Sequence, residues 1–343
     1  MTDISQGTDS KPLETPARDW VRILAQYREP NEWRSVFELA VTFVPFALLW
    51  AAAVWALSVS IWLTLAFSIL SAAFLVRLFL IQHDCGHSAL FRKKAVNDWV
   101  GRVLGIFTLT PYDVWRRGHA IHHASSGNLD QRGVGDIHTK TVREYQALPL
   151  RDRIVYRLYR HPIALFVVFP TYVFLLQNRL PVGFMGDGWK YWASAMGTNA
   201  ATAMLAGGLI YFIGWVPFLL IYLPVSLMAA AIGMWLFYVQ HQFEKTYWDR
   251  EEDWKRHDAA LYGSSHYCLP GVLPWLTANI GVHHVHHLYS RIPFYRLQQV
   301  LRDYPALADV RRLTLRDSFA CVKLQLWDEN RRKLVTYAEA GAT

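Results

Sequence analysis

Residues 195–240 contain no Asp, Glu, Lys, Arg or His, and this run limits what the chain can fold into more than any other feature. About 20 apolar residues in a helix are enough to cross the roughly 30 Å hydrocarbon core of a bilayer. The run is long enough for two crossings, with a tight turn near Trp215 to Pro217. We therefore predict membrane-spanning helices over about 195–215 and 218–240.

Two earlier segments, 36–58 and 61–82, are also apolar and carry one charged residue each. In the second segment this residue is Arg77, which lies near the far end, where its long side chain could reach the interface. With a hydrophobic fraction of 53%, these segments predict an all-α integral membrane protein with four transmembrane helices. A soluble protein with buried core helices is the alternative. The stretch 162–178 is shorter and interrupted by Pro170, and we expect it to be interfacial or re-entrant.

The positive charge is concentrated in one loop. Residues 92–160 carry 13 of the 35 Lys and Arg residues, whereas the predicted outer turns near 59–60 and 214–218 carry none. The positive-inside rule then predicts that the amino terminus, the 83–160 loop and the carboxyl terminus are cytoplasmic. No nucleic-acid-binding motif accompanies the basic residues, so we do not expect a nucleic-acid partner.

We expect a single membrane domain over 36–330, with a helical cap on the cytoplasmic side. A partly disordered tail (1–35) would precede it and a second tail (331–343) would follow it. The three cysteines, Cys85, Cys268 and Cys321, show no CxxC spacing. The sequence therefore indicates neither disulfides nor a zinc–thiolate site.

Eight of the 14 histidines form three clusters with spacings HxxxH, HxxHH and HxxHH, all near the ends of apolar segments. Residues three and four apart lie on one face of a helix, so the rings of each cluster should point the same way. His284 falls outside this pattern, and we predict that replacing it costs far less activity than replacing His286. The eight are His83, His87, His119, His122, His123, His283, His286 and His287.

Eight neutral imidazoles gathered without a ligand would leave many polar atoms unpaired in poorly hydrated surroundings, so the clusters predict metal binding. Their number exceeds the three or four ligands of a zinc site and fits two metal ions. Imidazole suits iron, copper, zinc and nickel, so the ligand type alone leaves the metal open. All three clusters can share one side of the membrane only if 162–178 does not cross it.

The three motifs resemble those of the membrane fatty acid desaturase family, and the likeness extends over about 36–330. The motifs are "HDCGH", "HAIHH" and "HHVHH". The segments "RRGHAIHHASSGNLDQRGVGDIHTKTVREY" and "RIPFYRL" are most similar to the acyl-lipid delta-12/omega-3 branch. The chain contains no HPGG haem motif, so the resemblance implies a separate electron donor, a reduced ferredoxin or a cytochrome b5-type protein.

The resemblance also implies a di-iron centre held by the eight histidines and by a ninth, His241, at the end of the last span. Stearoyl-CoA desaturases carry an Asn four residues before that histidine, which holds a metal through water. Here the position is Phe237, and Gln240 or Asn279 could replace that Asn. His266 and His138 are weaker candidates as ligands.

Ligating histidines usually donate their second ring N–H to a carboxylate or carbonyl. Several polar residues near the clusters are candidates for this role, and Arg132 could join them. They are Asp84, Asn128, Asp130, Asp136, Glu244 and Asn279.

The resemblance predicts an enzyme that uses O2 and two external electrons to insert a cis double bond into a fatty acyl chain. The chain would be bound to a membrane lipid, CoA or acyl carrier protein. A related di-iron hydroxylase or ketolase acting on alkanes, sterols or carotenoids is one alternative. A histidine-rich metal transporter or sensor is a more distant one, because the predicted spans contain almost no polar residues along an ion path.

Overall fold

The computed structural model describes residues 15–341, and most of them lie in helices. The helices are α1 (Ala17–Leu24), α2 (Glu32–Ala56), α3 (Ile61–Gly86), α4 (Lys94–Phe107), α5 (Tyr112–Ser125), α6 (Val142–Ala147), α7 (Leu150–Tyr159), α8 (Phe169–Leu175), α9 (Trp189–Ile213), α10 (Trp215–His241), α11 (Arg256–Tyr262), α12 (Leu273–Leu276), α13 (His283–Leu288), α14 (Leu297–Asp303), α15 (Pro305–Ala308) and α16 (Leu315–Cys321). Shorter helical turns lie at Ala25–Tyr27, Ala164–Val168, Gln177–Arg179 and Phe294–Arg296.

Four helices, α2, α3, α9 and α10, are long and apolar enough to cross a membrane, which confirms the predicted architecture. Local signals fix their ends. The side chains of Asn31 and Ser60 accept hydrogen bonds from the first turns of α2 and α3. Gly214 separates α9 from α10 with a φ of 85°, which a residue without Cβ adopts readily. Helix α9 begins at Trp189, six residues before the start of the predicted third span.

A buried ion pair joins the first two spans. The side chains of Arg77 on α3 and Glu38 on α2 are fully buried and in direct contact. Arg77 also donates to Thr42 Oγ1 at 2.9 Å and lies 4.1 Å from the centre of the Trp275 ring. The expectation that Arg77 reaches the interface is therefore wrong, because an acidic partner compensates its charge inside the helix pair.

The segment between the second and third histidine clusters is bent. Leu150–Tyr159 and Ala164–Arg179 meet at 60°. His123 Nε2 lies 3.2 Å from His286 Nε2, so the second and third clusters share one end of the bundle. Because α9 and α10 already make two crossings between these residues, 150–179 does not make a third. This agrees with the expectation that 162–178 is interfacial or re-entrant.

Two small sheets belong to the cap, and neither was predicted from the sequence. The strands are β1 (Lys140–Thr141), β2 (His266–Cys268), β3 (Arg312–Thr314), β4 (Leu326–Asp328) and β5 (Lys333–Val335). One sheet has the order β1-β4-β5, and the other pairs β2 with β3 in parallel.

Both predicted tails contain ordered structure. Strand β5 lies within 331–343 and buries Val335 completely, so the folded region extends past residue 330. At the other end, α1 begins at Ala17 and buries Trp20, because this ring packs edge-on against Tyr304. Residues 1–14 and 342–343 of the predicted tails lie outside the described residues.

Candidate metal centre

The first two histidine clusters meet because α3 and α5 pack closely. At Gly86 an added Cβ would lie 2.8 Å from the ring of Trp115, so only glycine permits this approach. Trp115 in turn stacks on His119, with ring centres 4.7 Å apart and planes 14° apart. The glycine of "HDCGH" thus sets the distance between the helices that carry these two clusters.

Nine histidines converge into two adjacent groups, each of which could hold a metal ion. Within each group one ring nitrogen per residue lies within 4.8 Å of all the others. The five-histidine group consists of His83, His87, His119, His123 and His286, and the four-histidine group consists of His122, His241, His283 and His287.

Each cluster divides according to its spacing. Histidines four apart, such as His119 and His123, belong to the same group, whereas His122 between them belongs to the other. The pair His283 and His287 likewise separates from His286. The sequence correctly predicted that the rings of each cluster lie on one helix face, but this face borders both histidine groups. Which ring serves which site depends on the opposing helices.

The hydrogen-bond pattern around the four-histidine group calls for a cation. His122 Nδ1 donates to Asp136 Oδ1 at 2.7 Å, and His241 Nδ1 donates to the carbonyl of Gly263 at 3.1 Å. In neutral rings each Nε2 then carries a lone pair, yet these two Nε2 atoms lie only 3.2 Å apart. Two lone pairs facing each other repel, and a metal ion bound by both removes that repulsion. The residues present therefore fit a metal.

The five-histidine group shows the same crowding. His119 Nε2 lies 3.0 Å from His87 Nε2 and 3.1 Å from His123 Nε2. Removal from water lowers the pKa of these three histidines well below its usual value, and neighbouring rings add to the effect. Neutral rings at pH 7 have the lone pairs that metal coordination requires.

Two of the six predicted polar partners lie beside the histidines. Asp136 holds His122 in the tautomer that leaves Nε2 free, as a metal ligand requires. Asp84 Oδ1 is 3.6 Å from His83 Nδ1, which is too long for a hydrogen bond. Its other oxygen accepts the backbone N–H of Phe294 at 2.7 Å, so Asp84 ties α3 to the segment after the third cluster.

The structure gives the other four predicted polar residues different partners. Asp130 pairs with Arg250, Glu244 with Lys333, and Asn128 donates to Glu251. Their partners, two basic residues and one acidic residue, come from distant parts of the chain, and the contacts hold the cap together. Asn279 donates to the carbonyl of Phe294.

The side-chain N–H groups of the two suggested replacements for the missing Asn at position 237 have backbone partners. Gln240 donates to the carbonyl of Ile280, and Asn279 is engaged as described above. The ring of Phe237 instead packs against His122 and His241, with ring centres 5.4 and 5.6 Å apart. An apolar ring thus covers this side of the four-histidine group.

The remaining candidates lie outside both groups. His284 is completely buried, and its Nε2 donates to the carbonyl of Leu307 at 2.9 Å. His266 Nδ1 binds the carbonyl of Ala308. Arg132 pairs with Glu144, and His138 packs near Tyr156.

Sequence reasoning missed Trp115 and Arg160. Trp115 lies four residues before His119 on α5, so helical spacing could have placed it beside the site. Arg160 is buried and donates to Gln242, the residue after His241, and to the carbonyl of Leu324. No local pattern marks Arg160, because its acceptors lie far away in the sequence.

We expect Asp136→Ala to weaken metal binding by the four-histidine group about 10–100-fold, because His122 loses the acceptor that fixes its tautomer. The measurement is metal retention during titration with a chelator, followed by elemental analysis. Asp130→Ala is the matched control, since it removes an exposed carboxylate paired with Arg250. Equal metal loss in both variants would contradict the role of Asp136.

Sequence comparisons with known proteins identify the family to which these clustered histidines belong. Residues 60–318 match the family model described as "Fatty acid desaturase". A "Fatty acid desaturase" of Bacillus subtilis (strain 168) is 43% identical over 314 residues, which cover 92% of this chain and 89% of the relative. An "sn-1 acyl-lipid omega-3 desaturase (ferredoxin)" of Nostoc sp. (strain 36) is 29% identical over 80% of this chain and 76% of its own. An "sn-1 oleoyl-lipid 12-desaturase" of Anabaena variabilis is 24% identical, with coverages of 71% and 69%.

Proposed function

The chain belongs to the fatty acid desaturase family, and from that premise we propose that it inserts a cis double bond into the acyl chain of a membrane lipid, with delta-12-like regioselectivity. The proposed cofactor is a pair of iron ions held by the nine histidines, with O2 as co-substrate. A separate protein, a reduced ferredoxin or a cytochrome b5-type carrier, would supply the electrons.

The observation that carries this proposal is the convergence of nine histidines at one end of a bundle of membrane-length helices. In the four-histidine group the imposed tautomers leave two Nε2 lone pairs on atoms only 3.2 Å apart. Bound iron would supply the O2 activation needed to remove hydrogen from an unactivated carbon. The polypeptide itself fixes the rings, excludes water and positions the acyl chain.

An apolar cleft among the spans provides a place for that acyl chain. It is lined by α3, α8, α10 and the turn after α4, with small residues on the α10 side. The lining residues include Leu75, Phe79, Phe174, Ala229 and Gly233. Such a surface binds alkyl chains through the hydrophobic effect, at about 25 cal/mol per Å² of apolar area buried.

Two aromatic rings connect this cleft with the five-histidine group. The rings of Phe79 and Trp115 meet edge-on with centres 5.5 Å apart, and Trp115 stacks on His119. Phe79 also precedes His83 by one helical turn on α3. An acyl chain in the cleft would therefore approach the histidines past Phe79 and Trp115.

We expect Gly233→Leu to lower conversion of the lipid substrate at least about tenfold, because a bulky side chain would fill the cleft. Bound iron should remain at the native level, because Gly233 lines the cleft and lies about two helical turns before His241 on α10, outside both histidine groups. Gly208→Leu on α9 is the matched control, because a Cβ meets nothing within 4 Å at either glycine but Gly208 does not line the cleft. The assay combines product analysis with iron determination, and unchanged conversion in Gly233→Leu would exclude this cleft as the acyl site.

We further propose that the histidine groups and both termini are cytoplasmic. The support is the concentration of Lys and Arg in 92–160, the loop that carries the second cluster. Labelling of single introduced cysteines from either side of oriented vesicles tests this orientation.

The decisive experiment is expression in a host that lacks polyunsaturated lipids, followed by gas chromatography–mass spectrometry of fatty acid methyl esters. A new diene with the second double bond at the twelfth carbon supports the proposal. A hydroxylated product would instead identify a hydroxylase. An unchanged profile, with iron bound and a competent donor present, would refute desaturation of these lipids.

A further inference from the structure

The two histidine groups differ in their access to the surface. In the five-histidine group the side chains of His87 and His119 are half-buried, whereas His122, His241 and His283 of the other group are buried. His87 and His119 line an open cavity of about 310 Å³ between the end of α3 and the middle of α5. This cavity, here called the mouth, is the place where solvent approaches histidines of the proposed centre.

The rim of the mouth is positively charged. Arg116 on α5 and Arg291, three residues after α13, both line it, together with Gly86, Ser88 and Ala120. Asp98 pairs with Arg116 at 2.7 Å. Arg291 is exposed and has no ion pair among residues 15–341. The rim therefore presents one uncompensated guanidinium next to the partly exposed histidines.

We propose that the mouth is the docking site of an acidic one-electron carrier protein, with Arg291 as the main charge contact. This inference rests on the proposed function, because only an enzyme that consumes external electrons needs such a partner. Charge complementarity speeds encounter and fixes orientation, and its effect falls as salt increases. Docking here would bring the carrier's redox group to the histidines that lie nearest to solvent.

The electron balance of the proposed reaction defines what the carrier delivers. The acyl chain loses two hydrogen atoms as its carbon–carbon single bond becomes double. One O2 is reduced to two water molecules, which requires two further electrons and two protons. Two carrier molecules are each oxidised by one electron per double bond, and the protons come from water.

A lipid phosphate is the other anion that could bind two arginines. The mouth lies directly against His87 and His119, however, so a phosphate there would place the start of the acyl chain at the histidines. The acyl carbons between the lipid headgroup and the proposed delta-12 position would then have no room between the bound phosphate and the histidines. The observations therefore favour a protein partner over a lipid headgroup.

The test uses the full-length iron-loaded protein in nanodiscs of phosphatidylcholine and a recombinant acidic [2Fe–2S] ferredoxin as the probe. We expect Arg291→Glu to raise the Kd for ferredoxin about tenfold and to flatten its dependence on salt. Arg291→Gln should show a smaller effect of the same sign. Arg302→Glu on α14 is the matched control, because Arg302 is equally exposed and does not line the mouth. Binding is measured directly, so the result does not depend on turnover.

Turnover with ferredoxin and with a small chemical reductant separates the remaining possibilities. The proposal predicts a higher KM for ferredoxin in Arg291→Glu and unchanged conversion with the chemical reductant. It is overturned if Arg291→Glu binds ferredoxin like Arg302→Glu. It is also overturned if conversion falls equally with both reductants while the Kd stays the same, since the mouth would then serve the lipid. If the native protein forms no double bond with either reductant, the proposed function fails, whatever the binding result.

Discussion

With the proposed di-iron centre, replacing His122 by alanine is expected to abolish conversion and to lower bound iron from about two ions per chain to about one. The variant reduces the smaller group from four rings to three and removes the ring that faces His241 at 3.2 Å. It also leaves the buried Asp136 carboxylate without its imidazole partner, which adds a charge penalty. Iron analysis of purified protein and product analysis in cells measure the two effects.

His284 provides the matched control for that result. His284→Ala should retain both iron ions, because the ring lies outside the two groups. It should still lower the free energy of unfolding by about 1–3 kcal/mol, since the buried carbonyl of Leu307 loses its donor. His286→Ala, in the five-histidine group, should cost far more activity than His284→Ala. Equal losses of iron in the two variants would contradict the division of "HHVHH" described above.

Glu38→Met is expected to destabilise the protein by about 3–5 kcal/mol, because it leaves the guanidinium of Arg77 buried between two spans without a carboxylate. The converse change, Arg77→Met, should cost less. Glu38 keeps a second partner, Arg34, at 2.6 Å, and that arginine is half exposed. The two variants differ in stability because Glu38→Met leaves the Arg77 charge unpaired, whereas Arg77→Met leaves Glu38 paired with Arg34.

The double variant Glu38→Met with Arg77→Met should recover most of the stability lost in Glu38→Met, since replacing both members of a buried pair is often close to neutral. The measurement is thermal unfolding in detergent, monitored by size-exclusion chromatography. If the double variant is as unstable as Glu38→Met alone, the pair interaction is not the cause.

The four spans and the eight histidines of the three clusters could be predicted from the sequence because their signals are local, whereas His241 came only from the family resemblance. Apolar runs of about 20 residues have few alternatives to crossing a bilayer. Histidines at i, i+3 and i+4 share one helix face by geometry alone. The topological argument about 162–178 also needed only the count of crossings between clusters.

Structural features that depend on contacts between residues far apart in the chain could not be predicted from the sequence. Asp130 and Glu244 lie near histidine clusters in sequence, but Arg250 and Lys333 are closer in space. The side chain that fixes the tautomer of His122 comes from Asp136, 14 residues away on a loop, and several similar carboxylates competed for that role. Strands of two or three residues, such as β1 and β4, give no periodic signal, because their pairing alone defines them.

The pairing of β1 with β4 has a consequence for biosynthesis. Lys140 and Thr141, just after the loop that holds Asp136, align with Leu326 and Trp327, which leave the ribosome almost 190 residues later. The side chains of Arg160 and Tyr238 likewise donate hydrogen bonds to the carbonyl of Leu324. The loop beside His122 therefore gains its final support only when translation is nearly complete. The proposed iron centre would therefore be completed late, after most of the chain has been synthesised.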